Sequence, residues 1–467
     1  MGADVSDGGG WDFPDVSLDA ASDSTAPCTN TPPTPGSGTT YFIAPTGSDS
    51  NAGTSASPFA TIQQAGNVAQ PGDTFIVRQG SYPGFIFCWD GPMQGSYSTI
   101  AGTEQAPITF MADPMAPVGF VVIHTQNDKT PVGIDLEPGC DHIVIWGFNV
   151  QADSTITKAG IKATGRGDSV IGNTVANAGG FGVLSDLAND FLLDGNTIIG
   201  TTGTGDDGHG YYLSGTNDGA VVRCNVIHDN ANLGIHINGD ESEGGSGVVT
   251  NALIENNSIY DNGSPSNPGN GINADGLQAS TIQNNLIWGN SMHGITLYQI
   301  DAGQPANDNV IVANTIVQPN SSGVAIEVEN ASVGNVVFDN ILIGGADGTY
   351  NLDNASAASF ISDYNVVLDM FDATSDTSDT TLTLAQWQSS SGQDHHSIIA
   401  NTATLFDDLM DANFHLTSQS QAIGAGTGMF ASLSAPTTDD DGVARGIAGR
   451  WDVGAFVFPP FFCCPRP

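Results

Sequence analysis

The sequence predicts an all-β chain wound as a single-stranded, right-handed parallel β-helix, with a capping helix at its N-terminal end and a capping segment at its C-terminal end. Three observations point there. From about residue 130 one phrase keeps returning: a Gly followed by alternating apolar residues, a polar turn, a second short apolar run and an Asn. The asparagines of that second run, Asn173, Asn196, Asn225, Asn257, Asn285, Asn314 and Asn340, are spaced by 23, 29, 32, 28, 29 and 26 residues. A period in the twenties, built from short strands and polar turns, is the mark of a solenoid. The composition agrees, because 59 Gly and only 13% charged residues describe a turn-rich β protein better than a helical one.

In chain order, residues 1–38 are acidic and rich in Pro, Gly and Ser, and are expected to form a disordered tether. Residues 39–360 are expected to hold the β-helix and its N-terminal cap. Within them ATIQQAGNVA (60–69) reads as an amphipathic helix with Ile62, Ala65 and Val68 on one face, placed where a solenoid needs a cover. The coils, continuous from about 75 to 360, run through GIDLE (133), GIKAT (160), GVLSD (182), GYYLS (210), GIHIN (234), GINAD (271), GITLY (294) and GVAIE (323). One turn buries too little apolar surface to fold alone, so turns must stack, with strands about 4.8 Å apart. The right hand is expected because it is the commoner one for long irregular coils. The Asn column is expected to be structural: an amide can bond the same amide one turn away, and Asn tolerates a left-handed corner. Residues 361–467 are expected to hold further coils and the closing cap.

Nine Lys and Arg against fifty Asp and Glu give a formal charge of −41, which repels nucleic acid and anionic membranes. Such a surplus serves solubility, or holds calcium, which takes several hard oxygen ligands. No run of 18 apolar residues exists, so no membrane-spanning helix is expected. The six cysteines fit no zinc spacing; a disulfide or two is expected, Cys88 with Cys140 among them. The chain reads as a secreted or surface-tethered monomer.

Residues 41–82 and 439–458 resemble the opening and closing segments of secreted bacterial right-handed β-helix proteins of the pectate-lyase-like superfamily. With the coils between, the resemblance covers roughly residues 40–458. It implies the fold, and a chain acting on polysaccharide: lyases, hydrolases and uronate epimerases share it. In the calcium-dependent lyases of this type, a base lysine sits on an outward strand position among aspartates. Here the comparable stretches are GHGYYLSG and DNANLGIHIN, with no lysine. Of the hydrolase pattern only Gly208–His209–Gly210 is present, and the epimerase Tyr-Gly-x-Asp-Pro-His motif is absent.

Period two turns the apolar positions of each phrase inward and sends the residues between them outward. Tyr212, His236, Asn238, Asp275 and Tyr298 then form one polar, aromatic patch at turn spacing, on which a sugar chain can lie. Elimination from a uronate needs a base for the α-proton, an acid for the leaving oxygen and a cation for the carboxylate. His236, Tyr212, His209 and Arg223 are the candidates for this chemistry. Asn238, Asp275, Tyr298, His293, Lys162 and Glu327 are the candidates for substrate binding. Asp206, Asp207, Asp240 and Glu241 are candidate ligands for calcium, while His228 sits at a corner away from the patch. The expected partner is a uronate-containing polysaccharide. Two further readings stay open: a glycoside hydrolase or epimerase, with Asp275 and Glu327 two turns apart, and a non-catalytic carbohydrate-binding or structural protein.

Overall fold

A computed structural model describes Cys28 and residues 31–89, 99–319, 323–372, 381–409 and 411–458. Among the described residues, 36 of its 43 strands form three sheets of twelve, in which nearly every neighbour is the equivalent strand one turn away and the pairing is parallel, and the other seven form three small sheets. One turn illustrates the winding: Val221–Arg223, Val226–His228 and Ile235–Asn238 belong to three different sheets. The sheets begin at Thr40–Ile43 and reach Ile398–Ile399.

Alternation decides what is inside. Ile134, Ile161, Val183, Tyr211, Ile235, Ile272, Ile295, Ile326 and Tyr350 occupy equivalent inward positions and are all fully buried. Each contributes about 1.5–3 kcal/mol of apolar burial, which no single turn gathers in sufficient amount. The Gly that opens each phrase is required sterically. A Cβ on Gly234 would lie 2.4 Å from Ile259 Cγ2 and 2.7 Å from the carbonyl oxygen of Gly271.

The seven asparagines form the expected buried column. Each Nδ2 donates to the Oδ1 of the next, at 3.1, 3.0, 2.9, 2.9, 2.9 and 3.0 Å, and Asn365 extends the ladder beyond Asn340. The left-handed corner, however, is the residue before each: Gly172, Gly195, Cys224, Asn256, Asn284, Ala313 and Asp339 have φ between 54° and 66°. The ladder asparagine therefore supplies the side-chain bonds, to the next amide and to backbone carbonyls such as that of Val222, and not the left-handed corner.

The caps differ from the sequence expectation. The N-terminal helix is only a 3-10 turn, Gln63–Asn67, because Gly66 and the β-branched Val68 do little to prolong it. Gln63 covers the edge strand by donating to the Ile86 carbonyl at 2.7 Å and accepting from its amide at 3.0 Å. At the other end the α-helix Leu384–Ser391, with a Thr383/Gln386 capping box, packs Leu384 and Trp387 onto the core. The closing segment turns back along the outside: Arg445 donates to Asn284 Oδ1 at 2.9 Å, and Phe414, Leu416 and Phe456 pack against Leu286, Ile341 and Ile343.

Cys88 is bonded to Cys140 as expected, and a second disulfide joins Cys28 to Cys224. Of the expected tether 1–38, residues 1–27 and 29–30 lie outside the described residues, as do Cys463 and Cys464, whereas the described residues 31–38 run up to the first strand, where the Gly36 amide donates to Thr74 Oγ1 at 3.0 Å and the Gly38 amide to the Gly72 carbonyl at 2.9 Å.

Candidate functional site

The phrases of the sequence become consecutive strands of one sheet, and their outward residues stack in two columns. The first runs Asp135, Lys162, Leu184, Tyr212, His236, Asn273, Thr296, Glu327, Asn351. The second, two residues further along each strand, runs Asp186, Ser214, Asn238, Asp275, Tyr298. The register agrees with the sequence: Leu213, Ile237, Ala274 and Leu297 are buried, whereas Tyr212, His236 and Tyr298 are half-buried on the outer face.

At the middle of this face Tyr212, His236 and His209 converge. The Tyr212 and His236 rings are 5.0 Å apart, and those of His209 and His236 are 4.7 Å apart, edge to face. His236 Nδ1 lies 3.1 Å from His209 Nε2, and Asn238 donates to the Tyr212 hydroxyl at 3.1 Å. Phe181 stacks on Tyr212 at 4.7 Å. Burial pushes His209 down to about 4, opposed by the backbone of Asp206, and pushes His236 well below its ordinary range, helped by His209. Burial also raises Tyr212. At neutral pH the cluster therefore holds uncharged imidazoles beside an intact phenol. His209 is only 2% exposed and meets the outer face through His236.

Toward the C-terminal end a connected polar network continues. Asn273 donates to the Tyr298 hydroxyl at 2.6 Å, and Asn270 donates to Asn273 Oδ1 at 2.8 Å and to Thr296 Oγ at 3.0 Å. Glu327 accepts from Thr296 at 3.3 Å and from Asn351 at 3.0 Å, with His293 Nε2 3.3 Å away. The Val324 amide donates to His293 Nδ1, which puts the ring proton on Nε2, facing Glu327. Burial lowers His293 to about 4 and raises Glu327.

Toward the N-terminal end Lys162 Nζ is 2.9 Å from Glu137 and 3.9 Å from the buried Asp135. Burial, only partly offset by Lys162, raises Asp135 to about 6. Asp186 is raised to about 7 by burial and by the neighbouring Glu243, opposed by Lys162 and Lys158.

Several expected site residues are elsewhere or otherwise engaged. Arg223 lies in a different sheet, with Nη2 2.9 Å from Asp194, because it belongs to the second run of its turn and not to the groove strand. Asp275 is 1% exposed and accepts the amides of Ile300 and Asp301 at 3.0 and 2.7 Å. It anchors a loop, so it neither faces substrate nor pairs with Glu327 as a hydrolytic carboxylate. Ser214 and Asn238, though outward in register, are buried beneath neighbouring groups. Asp206 and Asp207 are exposed on their loop, and Glu241 is exposed on the next. Asp240 accepts the Ser242 amide at 2.7 Å and caps a 3-10 turn. Among the described residues no three His, Cys, Asp or Glu side chains gather as a metal site. Asp206, Asp207, Asp240 and Glu241 are thus not brought together as one ligand set.

Residues 41–335 match the family described as Pel9A-like, right-handed beta helix region. The chain belongs to the Pel9A-like right-handed β-helix family. Pectate lyase Pel9A superposes with a TM-score of 0.56 at 16% identity, over 90% of this chain and 96% of that one. An uncharacterized protein, YwoF, from Bacillus subtilis (strain 168) is 27% identical over 364 residues, covering 66% of this chain and 76% of its own.

Within this Pel9A-like chain, sequence reasoning passed over Asp186, Asn273 and Asn351, although each stands at an outward position of the repeated phrase. It also passed over Asn270 and Phe181, which come one residue before a phrase Gly, in the column of His209 and His293. Their signal was present in the register, but the small polar residues among them do not stand out in a chain rich in Asn, and Phe181 reads from sequence as an ordinary apolar residue.

Proposed function

We propose that this Pel9A-like β-helix protein is an extracellular polysaccharide lyase that cleaves a uronate-containing glycan by β-elimination. The observation that carries the reading is the His209–His236–Tyr212–Asn238 cluster, a neutral imidazole and a protonated phenol side by side on the face of the solenoid. The two disulfides among the described residues support an oxidising, extracellular setting.

In this reading His236 is the base. In the tautomer that leaves Nε2 with a lone pair, His236 Nδ1–H donates to His209 Nε2, so the buried His209 orients the ring. His236 Nε2 takes the α-proton of the uronate, the bond to the glycosidic oxygen breaks as the ring double bond forms, and Tyr212 gives its proton to the departing oxygen. Asn238 holds the phenol in place. Lys158, exposed one residue before its strand, and Lys162, whose ammonium is held 2.9 Å from Glu137, are the cations on that side that a carboxylate can meet as its α-proton leaves.

The test is incubation of the purified chain with pectate, alginate, unsulfated and sulfated glycosaminoglycans and ulvan, with and without calcium. Ultraviolet absorbance of an unsaturated uronate from at least one of them supports elimination. New reducing ends without that absorbance would instead favour hydrolysis.

A further inference from the structure

The groove is electrostatically two-sided. Between Arg223 and Arg445 the chain contains neither Lys nor Arg, and Arg445 is buried, bonded to Asn284 and to the carbonyls of Asp452 and Gly454. The chain's lysines all lie on the N-terminal side of Tyr212: Lys162 in its strand, paired with Glu137 at 2.9 Å, Lys158 exposed one residue before that strand, and Lys129 three residues before Val132–Leu136, paired with Asp128 at 3.3 Å. Lys162 stands two turns before Tyr212 in the same column, about 10 Å by strand spacing.

The C-terminal half offers a different surface. From His236 the first column continues through Asn273, Thr296, Glu327 and Asn351, joined by the amide and hydroxyl hydrogen bonds described above. Beside that column lies His293, whose tautomer is fixed by the Val324 amide. Glu329 and Asp347 act on His293, and Asp275 and Asp301 act on Tyr298. A glycan carboxylate over this half would meet carboxyl groups and no cation. A sugar hydroxyl would meet Glu327, Asn351 and the Tyr298 phenol, all able to exchange hydrogen bonds with it.

Resting on the lyase reading, we infer that the substrate is a mixed glycan. Uronate lies over the lysine side of Tyr212 and His236, and uncharged sugars lie over Asn273, Glu327 and Asn351, with the chain running along the solenoid axis. A homopolymer of uronate would place a charge at every turn, including three or four turns without a counter-charge. The seven strands from Lys162 to Glu327 span about 29 Å of this face, long enough for several sugars. Cleavage is accordingly internal to the chain.

The experiment compares a homopolyuronate with a polymer in which uronate alternates with a neutral sugar, at equal uronate concentration, with and without calcium. It reads both unsaturated product and calorimetric binding. The expected result is a kcat/KM at least tenfold higher on the mixed polymer, with Asn351→Ala raising KM several-fold there and leaving kcat near wild type. Equal or faster turnover of the homopolyuronate overturns the inference. If neither polymer yields unsaturated product, binding decides separately. Retention of the mixed polymer alone, weakened by Asn351→Ala, sustains the two-sided groove while removing the lyase reading; equal binding of both polymers removes the inference as well.

Discussion

His236 Nδ1 faces His209 Nε2 at 3.1 Å, so a half-buried ring on the outer face is held by a fully buried one one turn earlier. One of the two must donate and the other accept, which is possible only while at least one is uncharged. Protonating both would bury two positive charges in contact.

The first prediction is a pH profile. The His236 pKa is lowered, so its neutral, basic form persists as pH falls through the ordinary histidine range and is lost only well below it. Tyr212 is raised, so its acidic form persists through the ordinary tyrosine range. On a substrate that is cleaved, kcat/KM is expected to stay level from about pH 6.5 to about pH 9, the interval inside both unperturbed values. A half-maximal point at an unshifted histidine pKa would contradict the burial of this pair.

A second prediction concerns His209 as a positioning residue. His209→Phe keeps a ring against Phe181, whose centroid is 5.6 Å away, but removes the nitrogen that meets His236. Turnover is expected to fall about 10-fold to 10²-fold, within the scale of a misplaced base. The acid limb of the pH profile should move, KM should hardly change, and circular dichroism should be retained. Loss of fold in this variant would be resolved with His209→Asn, for which the same split is expected.

Thermodynamically, the Asn ladder should be more sensitive than the site. Asn257 accepts from Asn225 and donates to Asn285 and to the Val222 carbonyl, all while fully buried. Asn257→Ala leaves those partners unsatisfied, at about 1–3 kcal/mol per orphaned group. Denaturant unfolding is expected to lose several kcal/mol, whereas the outer-face change Tyr212→Phe should cost less than about 1.5 kcal/mol.

Metal linkage gives a fourth prediction. Because Asp206, Asp207, Asp240 and Glu241 do not gather into a ligand set, millimolar chelator should leave the thermal midpoint unchanged and added calcium should not raise it. A calcium-dependent rise would show that an ion binds the folded form by linkage.

Much of the fold was legible because stacking repeats its signal at every turn. The Gly of each phrase, the alternation after it and the Asn column are local patterns multiplied many times, and inward Tyr211 and Leu213 followed from period two alone. The caps were less legible, since they are single copies whose form depends on what they cover. Gln63 works by bonding the backbone of Ile86, a role its sequence context does not signal. At the site, register correctly placed Tyr212, His236 and Tyr298 outward. It failed for Asp275 because pointing outward is not exposure: the loop after Tyr298 folds over it and uses its carboxylate. It failed for Arg223 because a phrase and its second run occupy different sheets. The Cys28–Cys224 bond was hidden by the low-complexity sequence around Cys28.

The most direct test of the account is the rate of unsaturated uronate formation by wild type, His236→Ala and Tyr212→Phe on the best polymer found, alongside their melting temperatures. The account predicts that each substitution lowers turnover by about 10²-fold or more, the scale of losing a positioned base or acid, while the melting temperature changes little. Full activity in both variants would contradict it and leave the cluster as a surface on which sugars rest.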